Sequence, residues 1–557
     1  MKMHPMHSPK LLFRRGVGLI LGAGCITSWM IVTSYSWPGQ LSRARHGSRI
    51  TAEEAARFLQ QSTWGPTPDL ISHVQEIGFR RFLEEQFDAP MSSYPTLPLV
   101  PSTPPTDCPA NSICRRDNYT LYPVQTRFFT NALYGEDQLR QRVAFALHQI
   151  FVVSGVDIGQ GYPSRFTPYL QVLDSDAFEN FRKLLYDVTL NAAMGNYLDM
   201  ANNTKRNPNE NYAREVLQLF TIGLNRLNPD GSLVRDLQGR TFPTYDQAVV
   251  NAFARLFTGW TFGLAQNGLT NYIDPMRVAN AANHDTGAKT LLRGVTLPAG
   301  QTAAKDLDDG LDNIFQDPNV GPFIGRQLIQ HLVTSNPSPD YVKRITDVFN
   351  DNGSGERGDL KALVKAILLD REARAASTSQ SGHLMHPVLL ITTLARAFNA
   401  RSADGTGDSD GYLSPQSQTM GLNVFSPPSV FSYFSPFGGV PGSSFRGPEF
   451  GLLNTSTAVA RANVVNTLVF ARIGAATAYP FNPSGTSLDF SAFQPLAGDP
   501  EALVDALNTL MMSGQMPPDM RSAVITAVSA VTSSNPLKRV RTAVYLIATS
   551  SQYQVER

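Results

Sequence analysis

Histidines are scarce in this 557-residue chain, nine in all against 46 Asp and Glu, so segments that combine them with carboxylates are where chemistry would be sought. NPNENYAREVLQLFTIG (207–223) places Asn211, Arg214, Glu215 and Gln218 at i, i+3, i+4 and i+7, beside an apolar stripe of Tyr212, Val216, Leu219 and Phe220. Glu210 and Arg214 have the spacing of an ion pair. The polar stripe is either the solvated face of an amphipathic helix or a carboxylate and guanidinium face lining a cleft. Asn283-His284-Asp285-Thr286-Gly287 is a compact polar turn. There Asp285 could orient the His284 imidazole as a general base or metal ligand; the plainer reading is a turn built by Asp and Gly. His148, on the flank of the apolar stripe in RQRVAFALHQIFVVS, reads by default as a satisfied core histidine.

Other motifs fail on context. Gly407-Asp408-Ser409-Asp410-Gly411 matches a nucleophile elbow, but a polar loop, RSADGT, precedes it where a buried strand is required. Asp404, Asp408 and Asp410 suggest calcium, yet Ser417 stands where an EF-hand loop closes with Glu. Gly287-Ala288-Lys289-Thr290 lacks the glycines of a phosphate loop. His383 and His386 form an H-x-x-H without a nearby third ligand, the second preceding Pro387 at a helix start, and read as surface residues.

The elements that must position these groups are mostly helices. Thr51 to Glu54 is a capping box, Thr67-Pro68 supplies an N-cap and a first-turn proline, and Gly78 ends the helix between. Apolar periodicity predicts further helices at 137–152, 176–194, 208–222, 245–258, 320–333, 338–350, 359–370 and 386–399, then 452–473, 500–512, 518–532 and 535–550. Strand patterns are scarce, LLRGVTLP (291–298) being the best candidate for a short hairpin. The expected fold is mainly α: one large multi-helix unit over 51–557 with at most a short hairpin. Irregular loops are expected at 90–118, 225–244, 400–418 and 474–499, with two lobes that would meet near 400–418.

Composition narrows the function classes. The 47 Lys and Arg nearly cancel the acids, giving a net charge of +1, which leaves no basic footprint for nucleic acid. Three Cys cannot build a disulfide scaffold or zinc module. Lys2, Lys10, Arg14 and Arg15 precede an uncharged run from Gly16 to Trp37, the pattern of an export signal or, uncleaved, of a membrane anchor over 16–37. Residues 1–50 are therefore read as a leader, and the protein is expected in the periplasm or cell envelope. In an oxidising compartment Cys108 and Cys114 would pair and close a Pro-rich loop; two free thiols are the alternative.

A family resemblance covers nearly the whole mature chain. LQQSTWGPTPDLI (59–71), LRQRVAFALHQIFVVS (139–154), PNENYAREVLQLFTIG (208–223), FARLFTGWT (253–261), HDTGAKTLL (284–292) and VFSYFSPFG (430–438) resemble the bacterial family called domain of unknown function 1800. The resemblance implies export, company with exported sulfatase-like proteins as partners, and special roles for Asn209, Glu210, Asn211, Tyr212, Arg214, Glu215, His284, Asp285, Gly287 and His148. It implies no reaction. One departure is Ile150, where many relatives carry a second histidine. Two functions remain. In one, a binding or scaffold protein of the envelope uses the polar residues as networks between helices. In the other, His148, Asp199, Glu210, Arg214, Glu215, His284 and Asp285 line one pocket for acid/base or divalent-metal-assisted hydrolysis of an envelope or extracellular substrate.

Overall fold

Helix starts are set by side chains that satisfy the first backbone N–H groups. Thr51 accepts from Glu54 N, and Glu54 Oε2 accepts from Thr51 N at 2.9 Å, so the capping box opens Ala52–Ser62 as its residues dictate. Thr67, Ser338, Asp359 and Asp499 cap Pro68–Ile77, Pro339–Asn350, Leu360–Leu369 and Pro500–Met512 in the same way. The computed structural model describes residues 49–557 apart from 158–160 and 379–380. The leader or anchor expected over 1–50 thus lies outside the described residues, except for Arg49 and Ile50. Among the described residues no helix is long and apolar enough to cross a membrane.

The fold is mainly α. Among the described residues twenty-two α-helices are joined by connections that include several long loops and four two-stranded antiparallel pairs, and Ile50–Arg557 form one unit. The hairpin expected at 291–298 is the pair Lys289–Thr290 with Thr296–Leu297, so its first strand begins earlier than the apolar run does. The other three pairs join segments too short for an alternating pattern to register. One continuous apolar core runs from Ala55 to Tyr553.

Several boundaries differ from the periodicity. The run at 176–194 divides into Phe181–Leu190 and Ala192–Tyr197. Asn191 ends the first helix and caps the second, accepting from Ala193 N at 3.0 Å. Helices Tyr122–Tyr134 and Pro163–Asp176 bury residues on several sides and so carry no single stripe, while Phe79–Asp88 follows Gly78 directly. Loop 400–418 is sewn down. Tyr134 Oη donates to Ala400 O at 2.9 Å, and Arg401 pairs with Ser487 through the backbone. Ser409 Oγ, buried, lies 2.6 Å from Thr486 Oγ1, a structural contact that ties that loop to the segment 474–499.

Candidate functional site

The helix carrying the polar stripe is shorter than expected, Asn211–Gln218. Side chains replace helix on its approach: Asn203 Oδ1 accepts from Asn209 N, and Asn209 Oδ1 accepts from Asn211 N. After the helix, Leu217 O takes the N–H groups of Ile222 and Gly223, and Gly223 turns left-handed at φ +72 as the chain leaves the turn. Tyr212, Val216, Leu219 and Phe220 are buried. On the outer face Asp199 accepts from Asn211 Nδ2 at 2.7 Å, and Glu210 Oε2 accepts from Arg214 at 2.7 Å and from Gln247 at 2.9 Å.

Gln247 begins helix Gln247–Leu256, and Arg255 lies two turns along the same face. Arg255 grips Asp285 with two hydrogen bonds of 2.9 Å. The two motif segments therefore flank one helix. That grip, with the Gly287 N–H, holds the Asp285 carboxyl down at about 2. Gly287 lets Arg255 come close: a Cβ there would lie 2.5 Å from Arg255 Nη2, so a side chain at 287 would push against the grip.

Asp285 does not orient His284. The imidazole is buried, with Nδ1 2.9 Å from Thr258 O and Nε2 2.9 Å from Asp306 Oδ2. Asp306 belongs to helix Ala303–Phe315 and also receives Lys289 Nζ at 2.7 Å. Because backbone folding consumes the Asp285 side chain in the Arg255 grip, a carboxylate from a helix 22 residues on takes the role assigned to it. Asp306 and Lys289 are both wholly buried, so a His–Asp–Lys triad pins the hairpin to the helix layer.

His148 is separate again. Phe145, Phe166 and Phe425 surround it, with Tyr169 Oη 3.4 Å from Nδ1 and Tyr433 Oη 3.2 Å from Nε2. Burial pulls its pKa down to about 3, so the ring is neutral. Glu215 keeps an unspent oxygen, as does Asp306 through its Oδ1. Glu215 Oε2 is buried without a hydrogen-bond partner and burial raises the pKa of this carboxyl, with Arg214 pulling the other way. Burial likewise lifts the phenols of Tyr197 and Tyr245 to about 12, Glu215 adding to both, and Tyr245 Oη also lacks a partner. Among the described residues His148, Glu215 and His284 share no hydrogen-bond or ion-pair partner.

One cluster escapes the sequence reading. His383 and His386, expected at the surface, are buried. His383 sits between two buried carboxylates, Nδ1 3.4 Å from Glu449 and Nε2 3.5 Å from Glu556. Against the burial that opposes its charge, Glu556 and Glu449 raise its pKa to about 9. His386 instead caps helix Pro387–Ala397 and is pushed well below its usual value by burial. Strand Val555–Glu556 pairs with His383–Leu384, so closely that a Cβ on Gly382 would lie 1.8 Å from Glu556 O. The clamp draws on segments far apart in the chain; the only local signal was the H-x-x-H itself.

Among the described residues no group of three or more His, Cys, Asp or Glu is placed to hold a metal. Cys108 and Cys114 are joined by a disulfide in the loop before helix Ile113–Tyr119, whose first turn holds Cys114. No curated protein and no solved structure matches the chain. The family model described as Protein of unknown function (DUF1800) matches residues 57–555, and the chain belongs to that family.

Proposed function

We propose that this protein is an exported binding or scaffold protein of the cell envelope, its signature residues serving as structural couplings between helices. The observation that carries this reading is the spending of acids and bases on one another. His284 and Lys289 converge on Asp306, Arg255 holds Asp285, and Arg214 holds Glu210. The His284, Lys289 and Asp306 side chains are closed off from solvent, while the part-exposed Glu210–Arg214 and Arg255–Asp285 pairs hold one another, which favours a coupling role over proton exchange with a substrate. The Cys108–Cys114 disulfide supports residence in an oxidising compartment. A sulfatase-like exported protein is the partner the family resemblance suggests.

Fractionation of cells making the full chain, with thermal melts of His284→Gln and Asp285→Asn, tests the reading. Envelope localisation and a clearly lowered melting temperature in both variants are expected; a cytoplasmic chain, or two variants that melt like the wild type, would overturn it.

Glu215 favours the second reading. A carboxyl of raised pKa with an unpartnered buried oxygen has the makings of a general acid. Soluble fragments released from envelope polymers by the wild type and not by Glu215→Gln would replace the scaffold reading with a hydrolase.

A further inference from the structure

Large apolar side chains left in water mark contact surfaces when they concentrate. Seven of the seventeen exposed ones among the described residues lie in two loops, 224–244 and 429–447. The first carries Leu224, Leu233 and Phe242, together with Leu237, which is 100% exposed. The second carries Phe431, Phe437 and Phe445.

These loops are distant in sequence but fastened to one helix, Val320–Leu332. Asn319 at its start donates to Asn225 O at 2.8 Å and accepts from Leu227 N at 2.9 Å. One turn on, the Phe323 ring meets Phe437 with centroids 6.4 Å apart, and Gly223 approaches that ring too closely for a Cβ. Arg326 then donates to Gly231 O at 3.1 Å.

The two loops carry four arginines against two aspartates. Asp230 is engaged by Ser232, and Asp236 by Arg240. Among the described residues Arg226, Arg235 and Arg446 form no ion pair; the Arg235 and Arg446 guanidiniums donate to the carbonyls of Gly239 and Phe437. Single apolar side chains on turns, interleaved with arginines that lack carboxylates, differ from the gathered apolar groove that receives a protein helix or strand. They suit a surface of acyl chains below phosphates.

We propose that loops 224–244 and 429–447 form a face that seats on an anionic lipid bilayer, the apolar tips entering the headgroup layer and the arginines meeting lipid phosphates. This goes beyond the scaffold reading and does not depend on it, since a scaffold and a hydrolase could equally dock this way.

The test uses the full chain with a local reporter in a background carrying Trp29→Phe and Trp37→Phe, so that anchoring through residues 16–37 does not supply the signal. Leu237→Trp and Phe437→Trp are titrated with vesicles of phosphatidylcholine alone and with added phosphatidylglycerol. Expected is a shift of the new Trp emission to shorter wavelength, and quenching by brominated lipid, with the anionic vesicles. Adding Arg226→Gln, Arg235→Gln and Arg446→Gln should weaken this by about a factor of five per arginine removed, with an unchanged melting temperature. Unchanged Trp emission on anionic vesicles, or equal response to neutral ones, overturns the proposal. A shift that follows protein concentration without lipid overturns it in favour of self-association.

Discussion

His148 and His383 are both wholly enclosed, yet they hold opposite charge states. Around His148 there are only rings and phenol hydroxyls, so nothing offsets desolvation and the imidazole stays neutral, with its pKa near 3. Around His383 two carboxylates, Glu449 and Glu556, outweigh the same desolvation and lift its pKa to about 9. His331 and Arg142 lie close enough to act on this cluster, as the lowered pKa of His386 reflects. The lesson is that burial alone does not set the role of a histidine. The partner chemistry does: one ring fills an aromatic cage, and the other is a charged rivet between the strand at 555–556 and the body.

The strongest way to break this contrast is to remove the rivet. His383→Ala leaves Glu449 and Glu556 buried without the cation between them, Arg142 being the remaining charge that acts on Glu556, and should lower stability by about 4 kcal/mol, read by urea denaturation. A loss below about 1 kcal/mol would mean the pair is no more than a surface-grade contact.

Next comes pH. A histidine whose folded pKa is raised contributes stability that is complete below its unfolded value and is lost as pH climbs through the folded one. The clamp should therefore weaken between about 6.5 and about 9, by about 3 kcal/mol. His148 behaves oppositely. With its folded pKa lowered to about 3, protons favour the unfolded chain and stability falls as pH drops below about 6.5. Melting temperature against pH should lose its alkaline limb in Glu556→Gln and flatten its acid limb in His148→Phe.

At neutral pH His148→Phe should itself be nearly silent, within about 1.5 kcal/mol, because Tyr169 Oη keeps its bond to Phe151 O and Tyr433 Oη still accepts from Phe425 N. A larger loss in its melting curve would show that the ring nitrogens matter to the cage. Smallest of all is Glu215→Gln, expected to change stability by under about 0.5 kcal/mol, since its free oxygen gives up no bond. A clear loss would reveal a partner for that oxygen.

Local chemistry made much of the fold legible. Thr51 with Glu54, and Thr67 with Pro68, name their helices because capping acts over three or four residues. The stripe of Tyr212, Val216, Leu219 and Phe220 was readable because one helix face must be dry. Helix Pro163–Asp176 was not, since a helix buried on several sides has no period to detect. Among the site residues, the Glu210–Arg214 pair is local and was visible. The partner of His284 was not: the neighbouring Asp285 was the natural candidate, and only packing of helix Ala303–Phe315 brings Asp306 there instead.

By itself, then, the sequence determined what acts within a few residues: helix starts, apolar faces and i,i+4 pairing, together with the near-neutral net charge. Tertiary structure alone decided which distant groups meet in the interior, the Asp306 that holds His284, the Glu449 and Glu556 that charge His383, and the helix that fastens loops 224–244 and 429–447 together. The reason is the range of the forces. Capping and periodicity are fixed by the local backbone, whereas the charge of a buried group follows from whatever the whole fold places around it.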